Sequence, residues 1–92
     1  MNICWLPRAA DDFERLIADA SANSANAATR DKSLVENRIL QLVRFKELGR
    51  KTRRIGVREL PIEGTPYVLV SRRLGEEILI VRLFHNGKAT LM

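Results

Sequence analysis

One histidine and several arginines are the side chains in this sequence that could do chemistry on a phosphate group. His85 is the only histidine, and imidazole titrates near neutral pH, so it could act as a general acid or base. A set of arginines could hold phosphate oxygens through bidentate hydrogen bonds. Its members are Arg58, Arg72, Arg73 and Arg82. The simpler interpretation of His85 is a histidine at the end of a strand, hydrogen-bonded to the backbone.

No motif of a catalytic or cofactor-binding site accompanies these residues. The sequence has no glycine-rich phosphate loop, no cluster of cysteine and histidine ligands, and no serine at a nucleophile elbow. Cys4 is the single cysteine, so it can form no intramolecular disulfide, and Cys4 with His85 cannot build a structural zinc site. We therefore expect no cofactor, no metal and no small-molecule substrate.

Positive charge is concentrated in one stretch of the chain. The 92 residues include 16 Lys and Arg against 11 Asp and Glu, a net charge of +5. Between residues 44 and 58 there are seven basic residues, Arg53 and Arg54 among them, and a single acidic one, Glu47. Because so many like charges repel one another, we interpret this stretch as a surface for a polyanion or an acidic protein rather than as ordinary solvated surface.

The length and composition predict one globular domain over residues 1–92. Hydrophobic residues make up 46% of the chain, which is enough for a core and excludes wholesale disorder. No segment approaches the ~18 apolar residues that a transmembrane helix requires, and the first residues lack the pattern of a signal peptide. We therefore expect no membrane association and a cytoplasmic location.

The first part of the sequence predicts a short strand followed by a helix. Residues 2–6 are rich in β-branched and aromatic types, and Pro7 fits the first turn of a helix, where its missing N–H costs nothing. Apolar residues then recur with the spacing of one helical face, at Ala9, Phe13, Leu16, Ile17 and Ala20. Near the start of this helix, acidic side chains would complement the positive end of the helix dipole. They are Asp11, Asp12 and Glu14.

A second helix is predicted after a low-complexity stretch of small polar residues at 21–28, which would connect the two helices. Ser24 or Asn26 could cap the second helix, and Leu48-Gly49 is its predicted end. Its apolar side comprises Val35, Ile39, Leu42, Val43 and Phe45. Two helices joined in this way pack as an antiparallel pair.

After Gly49 the hydrophobic period changes from that of a helix to that of strands. Residues 55–60, 67–71 and 78–84 predict three strands, separated by turns at 61–66 and 74–77. The order β-α-α-β-β-β predicts an α+β two-layer domain, in which a helical hairpin packs on one face of an antiparallel sheet. Arginines that share the other face would form a basic sheet surface able to hold a phosphate backbone.

Six segments of the sequence, taken in order, resemble the ParE/RelE toxin superfamily. They are Trp5-Leu-Pro-Arg-Ala9, Ala27-Ala-Thr-Arg30, Phe45-Lys-Glu-Leu-Gly-Arg50, Val57-Arg-Glu-Leu60, Gly64-Thr-Pro-Tyr-Val-Leu-Val70 and Ile78-Leu-Ile-Val-Arg-Leu-Phe-His85. The resemblance covers essentially the whole chain. Members of this superfamily are the toxic halves of bacterial type II toxin–antitoxin modules, which stabilise plasmids. The resemblance implies the same β-α-α-β-β-β fold.

The resemblance implies one of two activities. ParE-like members bind DNA gyrase and poison it, as inhibitors rather than enzymes; the candidate target-binding residues would be Arg53, Arg54, Arg58, Arg82, His85 and Lys88. RelE-like members are ribosome-dependent mRNA endonucleases; the candidate catalytic residues would be His85, Arg58, Arg72 and Arg82. The segments 64–68 and 83–87 look more like the ParE-like side. The tail after His85 has no tyrosine, unlike the RelE-like members that place a catalytic tyrosine there.

The resemblance also implies a cognate antitoxin as a partner. The basic stretch predicts that this antitoxin is acidic and that it contributes a disordered segment which folds on binding. Some of the apolar residues assigned above to the core would then belong to the interface with the antitoxin. A third interpretation is a degenerate toxin that has lost its toxicity and is held only by its antitoxin.

Overall fold

A computed structural model describes residues 2–45 and 47–85 of the chain. Its elements, in chain order, are β1 (Asn2–Trp5), α1 (Pro7–Asn23), α2 (Ala25–Arg44), β2 (Arg50–Lys51), β3 (Val57–Pro61), β4 (Tyr67–Leu74) and β5 (Glu77–His85). The strands form one sheet in the order β1-β5-β4-β3-β2, and the two helices pack against it. The predicted α+β domain with a helical hairpin on a sheet is confirmed.

The sheet is mixed rather than wholly antiparallel. Strands β2 to β5 pair antiparallel with their neighbours, because tight connections join them, whereas β1 pairs parallel with β5. The helical hairpin lies between β1 and the other strands in the chain, so no tight turn joins β1 to its neighbour in the sheet. Strand β1 can therefore lie at the sheet edge and run in the same direction as β5. The short strand β2, which pairs with β3, was not predicted from the sequence.

Helix α1 begins at Pro7, as predicted, but it continues three residues into the predicted connection at 21–28, and α2 already begins at Ala25. Only Ser24 separates α1 from α2, because the alanine-rich stretch at 21–28 favours helix more strongly than its small polar residues favour a loop. Ser24 has extended backbone angles, and its Oγ accepts the N–H of Ala27 at 3.3 Å. The predicted N-cap at Ser24 is therefore confirmed.

Helix α2 ends at Arg44, earlier than the predicted end at Leu48-Gly49. Phe45 is the C-cap, its N–H donates to the carbonyl of Gln41 at 2.8 Å, and its side chain is 56% exposed rather than part of the core. Gly49 has a φ of +102° at the entry to β2, and a Cβ there would lie 3.0 Å from the carbonyl oxygen of Glu59. Glycine is therefore required in the loop rather than as a helix end.

The core lies between the apolar stripes of the helices and one face of the sheet. Ala9 of α1 is fully buried, as is Val35 of α2. The buried side chains of the sheet that pack in this core are Leu60, Tyr67, Leu69, Ile78, Ile80 and Leu83, and Ile62, directly after β3, joins them. A register shift between Val70 and Ser71 leaves one extra residue on β5, which keeps Leu83 on the helix-facing side although it lies three residues after Ile80.

The register of the strands also defines the second face of the sheet, opposite the helices, called here the open face. Residues directly opposite one another in a sheet point to the same side. One row on this face runs Glu59–Val70–Arg82, and the next runs Val57–Arg72–Leu79. In the part of the chain that the structure describes, neither helix is long and apolar enough to cross a membrane.

Candidate binding surfaces and the His85 cluster

Arg82 is held by the carboxylate of Asp12, which belongs to α1. Its Nε donates to Oδ2 at 2.7 Å and its Nη2 to Oδ1 at 3.2 Å, and its guanidinium lies 4.6 Å from the ring centroid of Phe84. The backbone N–H of Leu83 donates to the same Oδ2 at 3.0 Å. Arg82, a candidate target-binding and phosphate-holding residue, thus serves to link β5 to α1.

The short length of β1 explains why Asp12 reaches this position. β1 pairs with β5 only as far as Ile80, so the N–H of Leu83 has no strand partner at this edge of the sheet. The chain leaves β1 at Leu6, whose N–H donates to the carbonyl of Ile80 at 3.0 Å, and then forms α1 across the vacated edge. Asp12 supplies the acceptor there, in place of a strand.

The pKa of Asp12 lies below its ordinary value. Burial by itself would raise this pKa, but hydrogen bonds from Arg82, from the N–H of Leu83 and from Arg15 at 2.8 Å favour the carboxylate more strongly. Asp12 is buried, and no acidic residue lies in the first turn of α1, so the predicted dipole role does not describe it. Its position within the apolar stripe of α1 was the sequence signal for a buried partner.

Arg58 also has a structural role. Its Nη1 donates to the backbone carbonyls of Glu47 and Gly49, both at 3.0 Å, and so ties the loop after α2 to β3. The register places Arg58 on the helix-facing side of the sheet, whereas Arg72 lies on the open face. Arg73 neighbours Arg72 on β4 and therefore points to the side of Arg58. The strand arginines do not form a single basic face.

A cluster of exposed positive charge lies in the loop between β2 and β3 and beside it on the open face. Arg53 and Arg54 are exposed, and Ile55 between these strands is 96% exposed. Arg54 and Arg72 flank a groove of about 440 Å³ on the open face. Its apolar floor includes Val57, Val70, Leu79 and Val81. The structure therefore combines a basic rim with an apolar surface, which suits a partner that is acidic and partly apolar.

His85 lies at the far end of β5, in a separate cluster on the helix-facing side. Its ring stands edge-on to that of Tyr67, with the centroids 6.3 Å apart. The hydroxyl of Tyr67 donates to Oδ2 of the buried Asp31 at 3.1 Å, and Arg30 binds Oδ1 of Asp31 at 3.3 Å. His85 and Tyr67 line a cavity of about 270 Å³ that opens towards the end of α1, including Asp19.

Tyr67 keeps its proton in this cluster. Burial raises the pKa of Tyr67, and the hydrogen bond and negative charge of Asp31 raise it further, to about 12. The phenol is therefore a hydrogen-bond donor at neutral pH and not a base or nucleophile. Like Asp12, Asp31 falls on the apolar stripe of its helix, three residues after Ala28 and four before Val35, and sequence reasoning missed it.

The structure does not bring the candidate endonuclease residues together. Arg72 lies opposite Leu79, and His85 is six residues further along β5, a distance of about 20 Å at ~3.3 Å per residue. The two side chains also lie on opposite faces of the sheet. A general acid or base must approach the reacting atom to about 3 Å. His85 and Arg72 therefore cannot act on the same phosphodiester bond.

Two further expectations concern sites. Lys88 lies outside the described residues, so its place as a target-binding candidate stays a prediction from the sequence. Among residues 2–45 and 47–85, no group of three or more histidine, cysteine, aspartate or glutamate side chains could hold a metal ion.

Comparison with known proteins gives a consistent assignment. The family model described as "ParE toxin of type II toxin-antitoxin system, parDE" matches residues 3–89. Nine chains of solved structures match as well. One, described as "Chromosomal ParDE TA system from P. aeruginosa", is 25% identical, covers 94% of this chain and 96% of its own, and superposes with a TM-score of 0.81. No curated protein sequence matches this chain significantly.

The link between Asp12 and Arg82 predicts a large loss of stability on substitution. Asp12→Ala leaves the guanidinium of Arg82 and the N–H of Leu83 without their acceptor, so we expect it to lower the free energy of unfolding by about 3 kcal/mol. Urea denaturation measures this. Asp11→Ala, at the exposed neighbouring position, is the control and should change stability by less than about 0.5 kcal/mol. Equal effects of the two substitutions would contradict the assigned role.

The same link predicts a dependence on acid. Because the pKa of Asp12 is lowered on folding, its contribution is present above the unfolded pKa and is lost as pH falls through the folded pKa. The difference in stability between wild type and Asp12→Asn should therefore be constant near neutral pH and shrink below about pH 4. A difference that grows on acidification would be inconsistent with this sign.

Tyr67 offers a direct spectroscopic test, because it is the only tyrosine in the sequence. Tyrosinate absorbance in the folded protein should appear with a pKa of about 12, against the ordinary value of 10.0 that the denatured chain should approach. Since the pKa is raised on folding, this contribution to stability is present below the unfolded pKa and is lost as pH rises through the folded pKa. Tyr67→Phe should remove the loss. Titration near 10 in the folded protein would contradict both the burial of the phenol and its bond to Asp31.

Proposed function

Because this chain belongs to the ParE toxin family of type II toxin–antitoxin systems, we propose that it binds DNA gyrase and poisons it without catalysing a reaction of its own. The observation that carries this proposal is the separation of His85 from Arg72, by about 20 Å and across the two faces of the sheet. A toxin that acts by occupying a protein surface does not need catalytic side chains that meet at one reacting atom. It needs an accessible surface of defined charge.

The different contacts of the arginines support the same proposal. Arg58 and Arg82 donate hydrogen bonds within the fold. Arg53, Arg54 and Arg72 are exposed instead. Positive charge of this kind steers association with an acidic target and contributes binding energy that is spread over several residues. Gyrase acts on DNA inside the cell, so the proposal includes a cytoplasmic location.

The family implies an antitoxin partner, and we infer that an acidic, amphipathic segment of the antitoxin covers the open face. The groove there has the matching character, since its floor is apolar and Arg54 and Arg72 stand at its rim. A segment that is disordered before binding could lay apolar side chains on the floor and carboxylates on the rim. Such a cover would also mask the exposed basic loop.

Ribosome-dependent mRNA cleavage is the second candidate function. The observation in its favour is the position of His85, exposed at the mouth of a cavity that Tyr67 also lines. In that mechanism His85 would transfer the proton, and its loss would abolish cleavage. The two functions therefore predict different consequences of one substitution.

Replacement of His85 separates the two functions. For a gyrase poison, His85→Ala should weaken inhibition of supercoiling by on the order of 1–2 kcal/mol of binding, because no proton transfer is lost. For an endonuclease, the same change should lower the rate by ~10²–10⁴-fold. Gyrase supercoiling with detection of cleavage complexes, and translation with mapping of mRNA cleavage, are the two measurements.

The control for this experiment is Lys32→Ala, which removes an exposed side chain on the outer surface of α2. It should leave both readouts unchanged. Abolition of toxicity by His85→Ala, in a variant that still folds and binds the antitoxin, would overturn the gyrase proposal. Cleavage of ribosome-bound mRNA by wild type would do the same.

The antitoxin interface has its own test. The product of the neighbouring antitoxin gene should raise the melting temperature of the toxin, because it binds the folded state. Arg72→Glu should weaken the complex by at least about tenfold, since it places a carboxylate against an acidic partner. Arg8→Glu makes the same change of charge at an exposed position of α1 and should have little effect. A melting temperature that the antitoxin leaves unchanged would refute the interface.

A further inference from the structure

The tip of the β2–β3 hairpin, residues 51–56, projects an apolar side chain between positive charges. Ile55 is 96% exposed, the largest exposed fraction of any large hydrophobic side chain in the described part of the chain. Lys51, Arg53 and Arg54 are exposed around it. Ile55 also lines the apolar groove of the open face, next to Val57. It is therefore the exposed end of a continuous apolar surface, and such surfaces mark interaction sites.

The hairpin tip is anchored by hydrogen bonds within itself and to β4. The N–H of Arg54 donates to Oγ1 of Thr52 at 3.1 Å, and the N–H of Val57 donates to the carbonyl of Arg54 at 3.1 Å. Gly56 turns the chain with a φ of +79°, and its carbonyl accepts the N–H of Arg73 at 3.1 Å. Ile55 is therefore presented on a loop that is anchored on both sides, which lowers the entropic cost of binding.

The cations of the hairpin tip are available to a ligand. The carboxylate of Glu59, on the adjacent strand β3, is bound to Arg50 at 2.8 Å. No ion pair joins Lys51, Arg53 or Arg54 to an acidic side chain in that part of the chain. Three uncompensated cations thus surround one exposed aliphatic side chain.

We propose that the hairpin tip binds double-stranded DNA, with Lys51, Arg53 and Arg54 on backbone phosphates and Ile55 against the base edges of the minor groove. Proteins that enter the minor groove combine arginine or lysine with an apolar wedge such as isoleucine. The minor groove is ~6 Å wide, so it admits side chains from a narrow tip but not a helix. A proposal of this kind goes beyond gyrase binding, because it gives the toxin a nucleic-acid contact of its own.

The size of the tip favours DNA over an acidic protein as its ligand. A stable protein–protein interface buries about 800 Å² on each partner, a surface that six residues do not supply alone. Each phosphate contact instead adds to the affinity separately, so a small surface can bind. Three such contacts predict a slope of log K against log salt of about −2.7. Non-specific binding of this kind has dissociation constants of roughly 10⁻⁴–10⁻⁶ M at physiological salt.

The test measures binding of the toxin alone to a fluorescently labelled duplex, by anisotropy over a series of salt concentrations. Arg53→Glu with Arg54→Glu should weaken binding by more than about tenfold and reduce the salt slope by about 2. Ile55→Ser should weaken binding by about five- to tenfold and leave the salt slope unchanged, because it removes apolar contact without charge.

A matched control changes the same charge elsewhere. Arg8→Glu with Lys32→Glu alters two exposed residues of the helical hairpin. It should retain the affinity of wild type apart from a uniform effect of net charge. Melting curves establish that each variant folds, and Arg53→Gln with Arg54→Gln repeats the test if charge reversal impairs folding.

Three outcomes would overturn the inference: no binding of wild type to duplex DNA, equal losses in the tip and helix variants, or full competition by polyglutamate with no effect of Ile55→Ser. The last would identify an acidic protein surface as the ligand. Because gyrase is absent from the assay, the inference and the proposed function fail separately. A toxin that poisons gyrase without binding duplex contradicts only the inference, and one that binds duplex through the tip without affecting gyrase contradicts only the proposed function.

Discussion

The carboxylate of Asp12 joins the two layers of this protein, and the arrangement of the sheet depends on it. Strand β1 is too short to cover the edge of β5, and α1 crosses the part of the edge that β1 leaves open. At this crossing Asp12 accepts hydrogen bonds from Leu83 and Arg82, which are 71 and 70 residues away in sequence. A backbone donor buried without an acceptor would cost about 1–3 kcal/mol, so the carboxylate secures the edge that β1 does not reach.

A second buried carboxylate joins the other helix to the sheet in a similar way. Asp31 lies on the apolar stripe of α2 and accepts the hydroxyl of Tyr67, 36 residues away, from the facing strand. In both cases a carboxylate sits where the helical pattern calls for an apolar side chain, and the sheet supplies a matching donor. Each of the two pairs fixes the position of one helix on the sheet at a defined point. Packing of aliphatic side chains alone specifies that position less precisely.

These contacts divide six of the arginines between residues 50 and 82 into two groups. Arg50, Arg58 and Arg82 hold the fold together through carboxylates and backbone carbonyls. Arg53, Arg54 and Arg72 remain exposed along one edge of the open face and at the hairpin tip. In a ParE family toxin, this division favours a surface that binds over a centre that reacts. It also places the groove proposed for the antitoxin next to the tip proposed for DNA, so that one partner could cover both.

The sequence by itself determined the elements other than β2 and their order, because helix and strand periods, Pro7 at a helix start and Ser24 as a cap are local properties of the chain. It also identified the family and the exposed charge at Arg53 and Arg54. Only the tertiary structure decided that β1 runs parallel to β5, that α1 extends to Asn23, and that Arg82 binds Asp12. The same holds for the separation of His85 from Arg72, which depends on strand register and a bulge. Hydrophobic periodicity indicates which side of an element is buried. Which residue it contacts across the core depends on how segments distant in sequence pack together, and a local pattern does not contain that information.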